Sequence, residues 1–222
     1  MTLFTLDLSG TVLAVIFGIL VLYFGLSLWW FFISVLVEFL VVSALATQAG
    51  FEKKSAIRGY EKTRGWRNVM ANGLVPVLIV FLYYVSNVYG HAFASGVLIY
   101  AFVAGVAGIT ADKFASEFGV LDGEPKVLIN GKKAKRGTSG AVTWFGTIMG
   151  GIAATIIGIT IFSLTLNPIY LIIIVAAGLF GNVVDSVFGY FEEKGIGNKY
   201  TSNLLCSLAS AGLCAVLIFF IS

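Results

Sequence analysis

Three carboxylates, Asp112, Glu117 and Asp185, lie in or beside strongly apolar stretches, where an unpaired charge is costly and implies a partner or a function. Polar residues recur four apart around them: Asn68 with Asn72, Asp112 with Ser116, Asn182 with Ser186, and Asn203 with Ser207. On helices each such pair shares a face. Asp185 falls between Asn182 and Ser186, whereas Glu117 lies about 140° around an ideal helix from Asp112 and joins it only where the helix ends or loosens. Carboxylates at helix C-termini add to a negative dipole and require a cation. Lys113 or a neighbouring Arg is one answer. Mg²⁺ is the other, because it accepts one or two carboxylates together with phosphate oxygens. On the Mg²⁺ answer, Asp112, Asp185 and, where the helix loosens, Glu117 are the expected metal ligands and catalytic groups.

A phosphate has an expected counterpart in Lys132-Lys133-Ala134-Lys135-Arg136-Gly137-Thr138-Ser139-Gly140. The basic run leads into an apolar stretch read as a helix from Gly140, so backbone N–H groups, glycines and positive charge would form an anion cradle at a helix N-terminus. The residue order is not that of a Walker A loop. The expected nucleotide- and phosphate-binding set is Asn72, Ser116, Lys135, Arg136, Gly137, Thr138, Ser139, Gly140, Asn182, Ser186 and Asn203. A Gly-x-x-x-Asp spacing occurs twice, at Gly108–Asp112 and Gly181–Asp185. It reads as an internal repeat or, more simply, as small residues that let helices pack closely. Cys206 and Cys214 read as small buried residues, and Glu38 and His91 receive no role.

The elements that must position these groups are membrane helices. Of the 222 residues, 59% are hydrophobic and 11% charged, and the mean hydropathy is +0.97. Soluble domains carry about 25% charged residues, so a soluble enzyme, a disordered chain and a secreted disulfide scaffold are excluded. A span needs about 20 apolar residues. Two fit between Leu8 and Gln48, turning near Gly25 to Ser27, and five more read as 68–88, 94–118, 140–165, 168–190 and 200–221. The fold class expected is all-α, a single polytopic domain over residues 1–222 with about seven spans. Met1 to Gly10 lacks Lys and Arg, so the apolar start reads as a retained span rather than a signal peptide.

Thirteen of the fourteen Lys and Arg residues fall in alternate connections, 50–67, 121–136 and 191–199, and the intervening connections hold none. The positive-inside rule places those basic loops and the N-terminus in the cytoplasm. On that topology five helix ends converge their polar groups on the cytoplasmic face. Concentrated positive charge suits anionic lipid or a polyanionic substrate. Nucleic acid is not expected, since no soluble domain or aromatic platform would hold it.

The segments Arg67-Asn68-Val69-Met70-Ala71-Asn72-Gly73, Ala111-Asp112-Lys113-Phe114-Ala115-Ser116-Glu117-Phe118-Gly119, Arg136-Gly137-Thr138-Ser139-Gly140-Ala141-Val142 and Val184-Asp185-Ser186-Val187-Phe188-Gly189 resemble, in order and spacing, the integral-membrane family that includes phytyl-phosphate kinase. That family is distantly similar to dolichol kinase. The resemblance covers nearly the whole chain, departing at Lys113 and Ala141. It implies a CTP-dependent kinase that converts a prenyl monophosphate, phytyl or geranylgeranyl phosphate, to the diphosphate. It also implies roles for Asp112, Ser116, Glu117, Asn72, Gly137, Thr138, Gly140, Asp185 and Ser186. The expected partners are a nucleoside triphosphate, Mg²⁺, a prenyl monophosphate and membrane lipid, in a prokaryotic cell membrane with the site facing the cytoplasm. The competing readings are a CTP-dependent lipid-phosphate cytidylyltransferase and, from another class, a transporter.

Overall fold

The computed structural model describes residues 6–56 and 63–221, and Arg58 and Lys62 of the first basic connection lie outside them. The elements in chain order are α1 (Leu8–Phe24), α2 (Trp29–Gln48), α3 (Phe51–Ser55), α4 (Trp66–Val88), α5 (Ala92–Gly119), β1 (Lys126–Val127), β2 (Ala141–Val142), α6 (Trp144–Thr165), α7 (Pro168–Glu192) and α8 (Lys199–Ile221). Six of these helices, α2 and α4 to α8, are long and apolar enough to cross a membrane, and α1 is a shorter apolar helix. Their starts follow local chemistry. Asp7 accepts from the Gly10 N–H at 2.8 Å to cap α1, and Asn167 caps α7 ahead of Pro168, whose missing N–H costs nothing at the first helical position.

The expected helix from Gly140 starts later. Gly140 has φ +74°, a left-handed conformation that no helix accommodates, and residues 141–142 pair antiparallel with 126–127 as a small hairpin. Thr143 then caps α6, its hydroxyl accepting from the Gly146 N–H at 3.0 Å. The glycine loop therefore does not itself form the first turn of α6, although Thr143, Gly146 and Thr147 at that helix start line the same cavity as the loop.

Helix α5 runs through the centre, packed by α2, α4, α6, α7 and α8, and its residues from Ala101 to Ala111 are buried. Lipid offers no hydrophobic gain between apolar helices, so close packing must hold them together. Small residues permit it. A Cβ on Gly108 would lie 2.1 Å from Ser210 Oγ and one on Gly181 1.9 Å from the same atom. The repeated Gly-x-x-x-Asp is thus a packing device with a consequence: α8 seats against α5 and α7 through one serine, and each aspartate follows its glycine by about one turn. Further from the basic loops the interior is aromatic, with Phe32 edge-on to Tyr83 and Phe102 at 5.1 and 4.9 Å between ring centroids.

Candidate functional site

A polar cavity of about 330 Å³ opens at the basic face between the inner ends of α5, α6, α7 and α8 and the loop 136–140. Asp112 of α5 and Asp185 of α7 meet there, their carboxyl groups in hydrogen-bonding contact. The Ser202 hydroxyl donates to the Lys199 carbonyl at 3.1 Å and lies beside Asp185. With its amide nitrogen turned toward acceptors, Asn203 donates to Asp185 Oδ1 at 3.3 Å and to the Lys199 carbonyl at 3.0 Å, and its oxygen faces the Asn72 side chain at 3.2 Å. Lys199 lies close enough to act on both Asp112 and Glu192. Two adjacent carboxylates repel each other strongly unless a cation or a shared proton intervenes.

Ser116, Arg136, Gly137, Thr138, Ser139, Gly140, Asn182 and Ser186 also line this cavity, as the sequence leads one to expect. Lys135 does not. It is exposed on the loop and lines no part of the cavity. Asn72 stands behind the cavity and reaches it through Asn203, while Asn68 faces a separate apolar cleft, so four helix ends converge rather than five. Arg136 packs its guanidinium on the carbonyls of Val120 and Leu121 at 3.2 and 3.3 Å. The loop already holds an anion of the protein's own: the Ser139 N–H donates to Glu193 Oε1 at 2.9 Å and its hydroxyl to Glu192 Oε2 at 3.3 Å. Gly140 touches α7 backbone to backbone, since a Cβ there would fall 2.5 Å from the Tyr190 nitrogen and 2.6 Å from the Ser186 carbonyl.

Glu117 is the principal departure. It leaves the cavity and points to the opposite side of α5, where its carboxylate takes Lys54 Nζ at 2.7 Å, Arg64 Nη2 at 3.4 Å and the Lys113 ammonium one helical turn away. Thr47 donates to it at 3.3 Å. Lys54 is fully buried and also donates to the Ala46 carbonyl at 2.7 Å. Glu117 therefore joins α2, α3, α4's approach and α5 in a buried ionic knot. Among the described residues no group of three His, Cys, Asp or Glu side chains could hold a metal, so the three-carboxylate set reduces to the Asp112–Asp185 pair.

Sequence reasoning missed Lys199, Ser202, Glu192 and Glu193 as cavity residues. Asn198 accepts from the N–H groups of Tyr200 and Thr201, a cap that turns α8 in toward the cavity. Asn198 just ahead of an apolar run is a start signal that would have flagged Lys199 and Ser202. Glu38, left without a role, accepts from Thr160 at 2.8 Å between α2 and α6.

Membrane-length apolar helices with polar side chains gathered at one face define a polytopic integral membrane protein. The chain belongs to the integral membrane protein family DUF92, whose model matches residues 2–206. It is 33% identical over 217 residues to the uncharacterized membrane protein MJ0933 of Methanocaldococcus jannaschii, covering 96% of this chain and 86% of the relative. It is also 30% identical over 208 residues to Protein PGR of Arabidopsis thaliana, covering 83% of this chain and 71% of that protein. No solved structure matches it.

Proposed function

We propose that the protein is a kinase that transfers the terminal phosphoryl group of CTP to a prenyl monophosphate, phytyl or geranylgeranyl phosphate, at the cytoplasmic membrane face. The observation that carries this reading is the juxtaposition of Asp112 and Asp185 at the wall of a polar cavity bearing Arg136 and Lys199. A pair of carboxylates in contact, with Ser202 and Asn203 beside them and about 330 Å³ of open space, fits the ligand needs of Mg²⁺, which keeps most of its shell for water and phosphate. When bound, Mg²⁺ supplies charge neutralisation to phosphate oxygens.

The chain's own residues do the rest by positioning and charge. Arg136 and Lys199 attract the donor's phosphates to the cavity. Asn182, Ser186 and Thr138 offer hydrogen bonds around them. The acceptor phosphate is already ionised, so the site requires no strong base. In the transfer an acceptor oxygen forms a bond to the donor's terminal phosphorus as the bond to the leaving diphosphate breaks, giving a prenyl diphosphate and CDP.

Apart from the Glu38–Thr160 pair midway along α2, which lines neither cavity, the cavity-lining polar groups collect at one face with an aromatic core behind them, which favours this reading over a transporter with its polar groups at the membrane midplane. The test is purified protein with labelled CTP or ATP and a panel of prenyl monophosphates. CDP and a prenyl diphosphate are expected. Pyrophosphate and a CDP-lipid would instead establish a cytidylyltransferase.

A further inference from the structure

A second cavity, of about 250 Å³, lies between α1, α2 and α4 on the other side of α5's inner end. Its walls are apolar, formed by Phe17, Gly18, Leu36, Leu40 and Val77. It reaches from Ile33 to Thr47 along α2, fourteen residues or about 21 Å. Val37, 50% exposed, stands where the cleft meets the lipid-facing surface. At the inner end the lining changes abruptly to Arg64, Asn68, Asn72 and Lys113.

Two features of that end call for an anion. Among the described residues Lys54, Arg64 and Lys113 all pair with one carboxylate, that of Glu117, so positive charge is concentrated in a largely buried setting. Arg64 Nε and Ser43 Oγ, both on residues lining the cleft, are buried without a hydrogen-bond partner among the described residues. Buried donors left unmade are costly, and a ligand oxygen would satisfy them. With the Asn72 amide turned as well, Asn72 donates to Asn203 and Asn203 to Asp185, which joins this end to the polar cavity.

We infer that this cleft holds the single hydrocarbon chain of the acceptor, an isoprenyl phosphate, with its phosphate at the Arg64–Lys113 end and facing the polar cavity across Asn72. The identity of the acceptor rests on the kinase reading, while the location does not. The chain enters sideways from the bilayer past Val37. Its phosphate meets the cationic end, and the donor occupies the Asp112–Asp185 cavity.

The test is equilibrium binding of radiolabelled geranylgeranyl monophosphate to the full chain in phosphatidylcholine nanodiscs without nucleotide. Unlabelled geranylgeranyl monophosphate should displace the label at least tenfold better than geranylgeraniol or dioleoyl phosphatidic acid, and inorganic phosphate should not displace it. Gly18 is the position at which to block the cleft, because a Cβ there meets nothing within 4 Å and a helical Gly→Leu change favours folding. Gly18→Leu should weaken lipid binding at least tenfold with CTP binding unchanged. Gly212→Leu, equally free of contacts on α8, should change neither. Arg64→Gln should erase the preference for the phosphate over the alcohol. Wild-type binding by Gly18→Leu, a retained preference in Arg64→Gln, or equal displacement by phosphatidic acid would overturn the assignment. If these binding results hold but no CDP forms, the kinase reading fails and the cleft stands. If CDP forms and Gly18→Leu keeps the wild-type KM for prenyl phosphate, the cleft fails and the kinase stands.

Discussion

Asp112 and Glu117 stand five residues apart on α5, in surroundings of opposite kind. Glu117 is buried against cations from α3, from the connection before α4 and from α5 itself, with a threonine hydroxyl beside them. Asp112 opens on a cavity and faces another carboxylate. A carboxylate whose charge is met by the chain itself is a fastening. One set against a like charge awaits something from outside. Both sit on one helix; what separates them is that Glu117 is buried against cations in direct ion-pair contact, whereas Asp112 opens on the cavity with a second carboxylate at its side and Lys199 nearby.

The sharpest way to break this comparison is to neutralise each member. Glu117→Gln leaves Lys54 and Lys113 buried without their carboxylate, and removing one partner of a buried pair costs about 3–5 kcal/mol. The expected outcome is a large fall in the detergent melting temperature and poor recovery of folded protein. Asp112→Asn and Asp185→Asn relieve a repulsion instead. Both variants should fold with a melting temperature at or above wild type, while turnover falls roughly a thousandfold, equivalent to about 4 kcal/mol of transition-state stabilisation. Near wild-type activity at limiting Mg²⁺ in either variant would remove that aspartate from the site.

A smaller effect is expected where the loop meets α7. Gly140→Ala must place a Cβ against the Tyr190 nitrogen in a left-handed conformation, which costs about 1–2 kcal/mol in conformation alone. Limited proteolysis between residues 121 and 143 should accelerate and the nucleotide KM should rise. Neutralising Arg136 and Lys199 together should raise the nucleotide KM about tenfold with less change in kcat, since their charges act on ground and transition states alike. Lys135→Gln, on the exposed side of the loop, should leave that KM unchanged.

The smallest effect marks the solvent end of the comparison. Glu124 and Lys133 pair at 2.8 Å on the exposed hairpin. That contact lowers the Glu124 carboxyl below its usual range and raises the Lys133 ammonium. A depressed carboxyl contributes stability that is present above its unfolded pKa and lost as pH falls through the folded one, so any contribution here vanishes on acidification. Exposed pairs of this kind add little. Glu124→Gln should leave the melting temperature at neutral pH unchanged within error.

The helices were legible because each span needs only an uninterrupted apolar run, and residues 168–192 or 199–221 announce themselves. The Asp112–Asp185 pairing was half legible: both aspartates follow a glycine by four residues, but only the shared contact of Gly108 and Gly181 with Ser210 reveals that the spacing brings them together. Glu117 was misread because its partners Lys54 and Arg64 come from a connection 63 and 53 residues earlier, and helical periodicity says nothing about such contacts. The angular offset from Asp112 was nonetheless the correct warning. The loop was misplaced because an apolar run after glycines reads as helix, whereas the N-cap signal of Thr143 lies three residues further on. The apolar cleft left no trace at all, since lipid-facing and cleft-facing leucines look alike.

The central claim is that phosphoryl transfer occurs at the Asp112–Asp185 pair and that Asp112, unlike Glu117, is dispensable for folding. The direct measurement is transfer of label from γ-³²P-CTP to geranylgeranyl monophosphate by wild type and Asp112→Asn, with melting temperatures taken on the same preparations. The account predicts labelled prenyl diphosphate from wild type and none above background from a fully folded Asp112→Asn. Label transfer by that variant at the wild-type rate, or no transfer by folded wild type from any nucleotide, would contradict it.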